Sequence, residues 1–301
     1  MRRMELLYTD LKTGQSNFKR WPEALIVLQS LIYGFGDPIS KIAFETVPVY
    51  SMSTVRYLIA FIACFAIFHK RVIKTVKEVP VRYWLVPGTC IGFAYLLNNV
   101  ALSLTDATSV AFLRSLSVVA TPLFAFLIYG KHYDKKHILL QILVLPGLYL
   151  LCVRGGLSGF GRGELVTLAG VAFAAGTLVF SRKYLESVDP VGLTALQALC
   201  SAALAFAGSI MAEGGIQLGS TTPKVWLIIL YLAIACTFFG YLLQNIALTR
   251  ISARSVALLQ TLCPVLTACF SFILLGEKLT AAGMLGAFII IICVAASTAM
   301  P

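Results

Sequence analysis

Three charged side chains stand where an otherwise apolar chain should carry none: Asp37, Arg56 and Arg114. Each falls inside an apolar stretch long enough to cross a bilayer, where insertion scales place the cost of a central charge at about 2.5–3.5 kcal/mol. Counting ~1.5 Å of rise per residue from the ends of those stretches puts Asp37 and Arg114 each about 10 Å in from the same membrane face, with Arg56 slightly shallower. One negative and two positive groups at a common depth predict a cluster. Such a cluster leaves one cationic vacancy, and the planar guanidinium fork suits it to a carboxylate or phosphate. The competing expectation is a structural network, in which Asp37 neutralises one arginine and the other bonds backbone carbonyls. Arg56 is the better candidate for that structural role.

Neighbouring polar residues extend the pattern. Gln29, Tyr33, Asp37 and Lys41 recur at every fourth position and so share one helix face. The run Gly34-Phe35-Gly36-Asp37-Pro38 is expected to interrupt that helix, because Pro38 lacks an N–H and frees a carbonyl near Gly34. Interrupted helices often line transport sites. A kink that serves packing, with Asp37 paired to Lys41 one turn later, is the alternative. Asp37 is also the candidate coupling group for a proton. Tyr95, Asn98 and Asn99 lie one turn apart in one stretch, and Tyr241, Gln244 and Asn245 do the same in another. Aromatic rings and amides can grip a polar metabolite, but amides in spans also bond neighbouring helices. Asn99 and Asn245 are assigned to packing. The predicted binding set is Tyr33, Asp37, Arg56, Tyr95, Asn98, Arg114, Tyr241, Gln244 and Gln260, with Gln197 as a further cavity candidate.

Elements must hold these residues, and the composition says in what solvent. The chain has 301 residues, 59% hydrophobic and 12% charged. Soluble domains carry about 25% charged residues, so too little polar surface exists here to cover a globule in water. Apolar stretches fall at 24–44, 52–69, 81–103, 107–129, 137–153, 163–180, 191–212, 224–248, 253–275 and 280–299. Residues 1–23 form a polar tail with no apolar core, so no cleaved secretory signal is expected. The chemistry must therefore sit on an all-α integral membrane fold of ten transmembrane helices.

The second half repeats the first. Tyr95–Gly130 aligns without a gap to Tyr241–Gly276, matching Asn99 to Asn245, Ser109 to Ser255, Thr121 to Thr267 and Gly130 to Gly276. Gly34, Lys41 and Pro48 correspond to Gly176, Lys183 and Pro190 at a slightly different offset, which places extra loop residues in half two, near Glu213–Pro223. A unit with an odd number of spans used twice must enter the membrane from opposite sides, which gives two inverted five-helix repeats, 24–156 and 157–301, joined by the glycine-rich Gly155–Gly163. Lys41 and Lys183 should then end equivalent helices at opposite faces. Arg114 breaks the symmetry, because its counterpart is Gln260.

Charge sets the expected orientation. Of the 24 Lys and Arg, 17 fall in one set of loops and 5 in the other, with Arg56 and Arg114 inside spans. That asymmetry places both termini in the cytoplasm, in a multi-pass protein of the cytoplasmic (inner) membrane. The net charge of +11 then needs anionic lipid headgroups and no nucleic acid. The eight cysteines all lie in proposed spans with no C-x-x-C pair, and the three histidines flank loops, so neither a metal nor a cofactor is expected.

At this point the chain resembles the drug/metabolite transporter superfamily, EamA type. Gly163-Glu164 opens the sixth stretch, and Ser252–Leu279 reads SARSVALLQTLCPVLTACFSFILLGEKL, with Pro264 and a terminal Gly276-Glu277. Half one matches through Gly34, Lys41, Arg56 and Tyr95–Ala111. It departs where Gly130-Lys131 replaces the G-E pair, Val118 stands for Pro264, and Arg114 occupies a usually neutral position. The resemblance implies a ten-helix transporter, often a metabolite exporter, with a cavity between the halves. Lys41, Lys183 and Glu277 are read as helix-end residues.

The function expected is movement of a small polar metabolite, amino-acid-like or an organic anion, by alternating access. Rivals are an exporter of cationic drugs or quaternary amines, a lipid flippase, and a non-transporting scaffold. An enzyme is disfavoured. Gly34-Phe35-Gly36-Asp37 has the G-x-G-D form of intramembrane aspartyl proteases, but Asp10, Asp106, Asp134 and Asp189 all fall in the tail or loops, leaving no second intramembrane aspartate. No Walker-type loop occurs. Residue patterns set neither direction nor oligomeric state.

Overall fold

The computed structural model describes residues 21–105, 107–130, 135–152, 161–219, 221–276 and 281–299. The tail before Trp21, most of the glycine-rich link, and Glu277 lie outside them. Among the described residues there are ten helical stretches and no strand. Half one contains α1 (Trp21–Phe44), α2 (Val49–Glu78), α3 (Arg82–Leu104), the two-part α4 (Ala107–Ser115 and Ser117–Tyr129) and α5 (Lys135–Cys152). Half two contains α6 (Arg162–Tyr184), α7 (Pro190–Glu213), α8 (Pro223–Tyr231, a π-helical Leu232–Phe239, then Gly240–Leu248), the two-part α9 (Ala253–Leu259 and Leu262–Leu275) and α10 (Ala281–Ala299).

Seven of these, α2–α4 and α6–α9, are long and apolar enough to cross a membrane. Apolar side chains such as Leu123, Leu127, Ile273 and Phe288 stand exposed, as a lipid-facing surface requires. The chain is a multi-pass membrane protein. Of the ten expected spans, α1, α5 and α10 are not among the seven. In α1, Gln29, Asp37 and Lys41 dilute the apolar run. The apolar stretch of α10 covers only Ala281–Ala296.

Three local features differ from expectation. α1 runs unbroken through Pro38. A single proline removes one hydrogen bond, and tight packing can hold the helix straight around it. Gly34 supplies that packing, since a Cβ there would stand 2.5 Å from Leu266 Cβ on α9. α2 continues past the expected end at 69 to Glu78, bending at Phe68 (φ −125°, ψ 26°). Its polar extension meets no breaker before Pro80 and carries the Lys74–Glu78 pair at 3.7 Å. The interruptions occur instead in the fourth helix of each half. α4 breaks at Leu116, where the Leu116 N–H bonds Leu113 O at 3.0 Å, and α9 breaks after Leu259, where the Thr261 N–H bonds Leu258 O at 3.1 Å. Arg114 and Gln260, counterparts in sequence, sit at these two breaks.

α2 packs along α7, α3 along α6 and α7, α1 along α9, and α5 along α10. The α2–α7 pair is antiparallel. The first turn of α2 meets the end of α7 through Tyr50 and Glu213, and the start of α7 meets the end of α2 through Asp189 and Arg71. Lys41 ends α1 at the end of the bundle where α2 begins, and Lys183 ends α6 at the end where α2 finishes.

Candidate functional site

The centre of the bundle is organised by an ion pair. Arg114 Nη2 donates to Asp37 Oδ2 at 2.7 Å and Nη1 donates to Oδ1 at 3.3 Å, a two-pronged contact joining α4 to α1. Nη1 also reaches Asn98 Oδ1 at 3.4 Å, and Nη2 reaches Cys263 Sγ at 3.0 Å. Thr267 Oγ1 donates to Asp37 Oδ2 at 3.5 Å. Four helices, α1, α3, α4 and α9, thus converge on one carboxylate and one guanidinium. Asp37 does not pair with Lys41, whose Nζ donates to Thr105 O at 3.2 Å. Thr105 Oγ1 in turn donates to Glu164 Oε1 at 2.5 Å, so the ends of α1 and α3 meet the start of α6.

Arg56 lies near this pair but outside it. The side chain is 4% exposed, donates Nε to Thr237 Oγ1 at 2.9 Å, and lies 5.3 Å over the Tyr57 ring. Thr237 belongs to the π-helical part of α8 and donates its own hydroxyl to Leu232 O at 3.0 Å. π segments recur at functional positions, because the extra residue per turn re-aims side chains.

Two cavities meet at the ion pair. The larger, of about 60 Å³, lies between the halves and is lined by Tyr33, Tyr95, Asn98, Arg114, Gln244 and Gln260, with Ser30, Thr167 and Thr177 adding hydroxyls. The smaller, of about 10 Å³, is lined by Asp37, Arg56, Ser40 and Cys236. Tyr33, Tyr95, Asn98 and Arg114 border both and form the partition.

Gln244 and Gln260 on one wall of the larger cavity form a ring of three glutamines with the buried Gln29 behind them. Gln260 Nε2 donates to Gln29 Oε1 (3.0 Å) and Gln244 Oε1 (2.9 Å), while Gln29 Nε2 donates to Gln244 Oε1 (3.2 Å), Gly240 O (2.9 Å) and Tyr33 Oη (3.3 Å). The Gln244 Nε2 group has no acceptor among the described residues, and its side chain lines the cavity. Beside the ring the tyrosines form a column: Tyr33 to Tyr95 at 5.7 Å edge-on, and Tyr95 to Tyr241 at 5.5 Å. Tyr241 is 1% exposed, borders neither cavity, and its hydroxyl has no partner among the described residues.

Asn99 Nδ2 donates to Ser53 Oγ (3.0 Å) and Tyr57 Oη (3.1 Å) on α2. Asn245 Nδ2 donates to Thr194 Oγ1 (2.9 Å) and Gln197 Oε1 (2.7 Å) on α7. Each asparagine ties the third helix of its half to the second. Gln197 is bound to Ser181 Oγ as well (3.2 Å) and lines neither cavity.

Comparison with known proteins follows the same division of the chain. A model of the EamA-like transporter family matches residues 20–153 and again 161–299. The chain belongs to the EamA-like transporter family. An uncharacterized transporter of Archaeoglobus fulgidus is 27% identical over 93% of this chain and 87% of its own. A probable amino-acid metabolite efflux pump of Salmonella typhimurium is 25% identical over 88% of this chain and 91% of its own. A crystal structure superposes with a TM-score of 0.76 at 19% identity, covering 92% of this chain and 96% of the other, which supports the fold.

Within this EamA-like chain, the structure brings together Tyr33, Asp37, Arg56, Tyr95, Asn98, Arg114, Gln244 and Gln260 around the two cavities, and leaves Tyr241 behind Tyr95. Sequence reasoning missed Cys263 and Thr237. Cys263 stands one turn from Thr267, opposite Ser117 in the repeat alignment, so the alignment carried its signal. Nothing in the sequence marks the π segment that presents Thr237.

Proposed function

We propose that this protein is a secondary transporter that carries a small polar metabolite, amino-acid-like or an organic anion, out of the cell by alternating access. The single observation that carries the reading is the cavity between the halves, whose lining joins amides and hydroxyls to an ion pair at its partition. The linings of the two cavities together carry Asp37, Arg114 and Arg56, one negative charge and two positive, which favours a cargo bearing an anionic group. The name of the Salmonella relative supports an amino-acid-like substrate and export.

In this reading all ten helices cross the cytoplasmic membrane as two inverted five-helix units, 24–156 and 157–301, with both termini in the cytoplasm and lipids covering the exposed apolar faces. The substrate-contacting residues are Tyr33, Asp37, Arg56, Tyr95, Asn98, Arg114, Gln244 and Gln260, with Asp37 the coupling group and Tyr241 backing Tyr95. A quaternary amine is the rival cargo, favoured by the tyrosine column, but Asp37 is already bound by Arg114.

The test is efflux from proteoliposomes loaded with labelled neutral amino acids, organic acids or choline. Release of amino or organic acids that falls on Arg114→Gln supports the reading. Release of choline alone would overturn it.

A further inference from the structure

Arg56 is a buried cation whose only hydrogen bond to the described residues is the one from Nε to Thr237. A guanidinium carries five N–H donors. Among the described residues no carboxylate lies within ion-pair distance of it. Asp37, which lines the same small cavity, is engaged on both oxygens by Arg114. The cavity walls therefore hold Asp37, Arg114 and Arg56, one negative charge and two positive. The Tyr57 ring screens one side of the guanidinium. A buried charge with its terminal donors unfilled is a costly arrangement unless an anion completes it.

We infer that Arg56 is a receptor for a carboxylate, which docks in the small cavity beyond the Asp37–Arg114 partition. This moves the anion-binding role from Arg114, whose charge is already neutralised, to Arg56. It rests on the reading of the protein as a metabolite transporter, because the carboxylate is that of the transported molecule. With about 10 Å³ the small cavity has room for about one water, so the carboxylate reaches Arg56 as the Asp37–Arg114 partition moves aside and joins the two cavities. Tyr33, Tyr95 and Asn98 border both cavities, so a longer molecule reaching Arg56 keeps its other end among the amides of the larger one. Ser40 and Thr237 hydroxyls already donate to backbone carbonyls within their own helices, which leaves Arg56 as the anion's principal donor. An inorganic anion such as chloride shares this chemistry, and the experiment separates the two.

The experiment is binding to the purified full chain in detergent, in a buffer free of chloride and of carboxylate ions. Propionate, propionamide and chloride are titrated separately by thermal shift against wild type, Arg56→Gln and Arg56→Lys. Propionate should stabilise wild type, propionamide should not, and the stabilisation should vanish in Arg56→Gln and weaken in Arg56→Lys, which keeps charge but loses the fork. Propionate binding undiminished in Arg56→Gln overturns the proposal, and so does chloride binding that excludes propionate. Should Arg56→Gln fail to fold, ¹⁵N-arginine labelling decides. The Arg56 Nε–H resonance, assigned by its loss in Arg56→Lys, should move with propionate and not with propionamide; a static resonance overturns the proposal. Propionate bound at Arg56 in a protein that releases no solute from proteoliposomes would sink the transport reading alone.

Discussion

Arg71 and Glu213 occupy equivalent places in the two halves, at the offset that relates Pro48 to Pro190, and each reaches from the end of its own helix to the start of the other's. Glu213 accepts from the Tyr50 N–H (2.8 Å), the Ser51 N–H (2.8 Å) and the Ser51 hydroxyl (2.6 Å) in the first turn of α2. Arg71 lies 3.7 Å from Asp189, which itself accepts from the Val191 and Gly192 N–H groups at the start of α7. The same antiparallel helix contact is thus closed at both ends. At one end a carboxylate does it directly; at the other a cation holds the capping acid. A helix start carries unsatisfied N–H groups and a partial positive charge, so an acid belongs at both places.

The two ends should differ in strength. Glu213→Ala removes a charged acceptor from two backbone donors, and should lower stability by about 1–2 kcal/mol. Arg71→Ala removes a partner whose side chain is 31% exposed and leaves the Asp189 cap in place, so the loss should be under about 1 kcal/mol. Unfolding in detergent of both variants measures this. Equal losses would contradict the assignment of Glu213 as the tighter closure.

The Asp37–Arg114 pair predicts a non-additive cycle. Asp37→Asn leaves a buried guanidinium without its counter-charge, and breaking a buried pair this way costs about 3–5 kcal/mol. Arg114→Gln strands the carboxylate similarly. The double variant removes both charges and should lose less than the sum of the single losses. Unfolding curves for the four proteins give the coupling; additive losses would mean that the two groups do not interact.

The glutamine ring predicts a substrate-affinity effect without a folding effect. Gln244 Oε1 accepts from both Gln29 and Gln260, but Gln29 keeps Gly240 O and Tyr33 Oη as acceptors and Gln260 keeps Gln29 Oε1, so Gln244→Leu removes a cavity amide without stranding its neighbours. Efflux with Gln244→Leu should show a raised KM of about tenfold, equivalent to ~1.4 kcal/mol for one substrate hydrogen bond, with little change in unfolding temperature. An unchanged KM would assign the ring to packing.

Much of this arrangement is legible in the amino-acid sequence. Charged residues in apolar stretches are so costly that Asp37, Arg56 and Arg114 marked the centre by themselves. The repeat alignment paired Arg114 with Gln260 and Asn99 with Asn245, and each pair occupies corresponding positions in the fold. What the sequence could not convey was partner choice. Asp37 had Lys41, Arg56 and Arg114 within plausible reach, and only the packing of α1 against α4 and α9 selects Arg114. The break at Leu116 was equally hidden, since its turn holds neither glycine nor proline and tertiary packing overrides local propensity there. The break after Leu259 has a local cause in Pro264, which cannot donate to Gln260 O, and the Cys263 N–H bonds that carbonyl at 2.9 Å in its place.

Cys263 offers a reporter of the cavity itself. The thiol is 5% exposed, lines the larger cavity, and lies 3.0 Å from Arg114 Nη2. Among the described residues the cysteines are free, so serine can replace the others and leave Cys263 alone. A small sulfonate-bearing methanethiosulfonate should then modify Cys263 only when the cavity is open to the side from which it is added. Solute bound across the two cavities should block it, so half-occupancy should halve the rate. If Arg56 alone holds the carboxylate, protection survives in Arg114→Gln and is lost in Arg56→Gln. The rate of modification in the two variants therefore distinguishes which arginine meets the cargo, using a group that touches one of them and not the other.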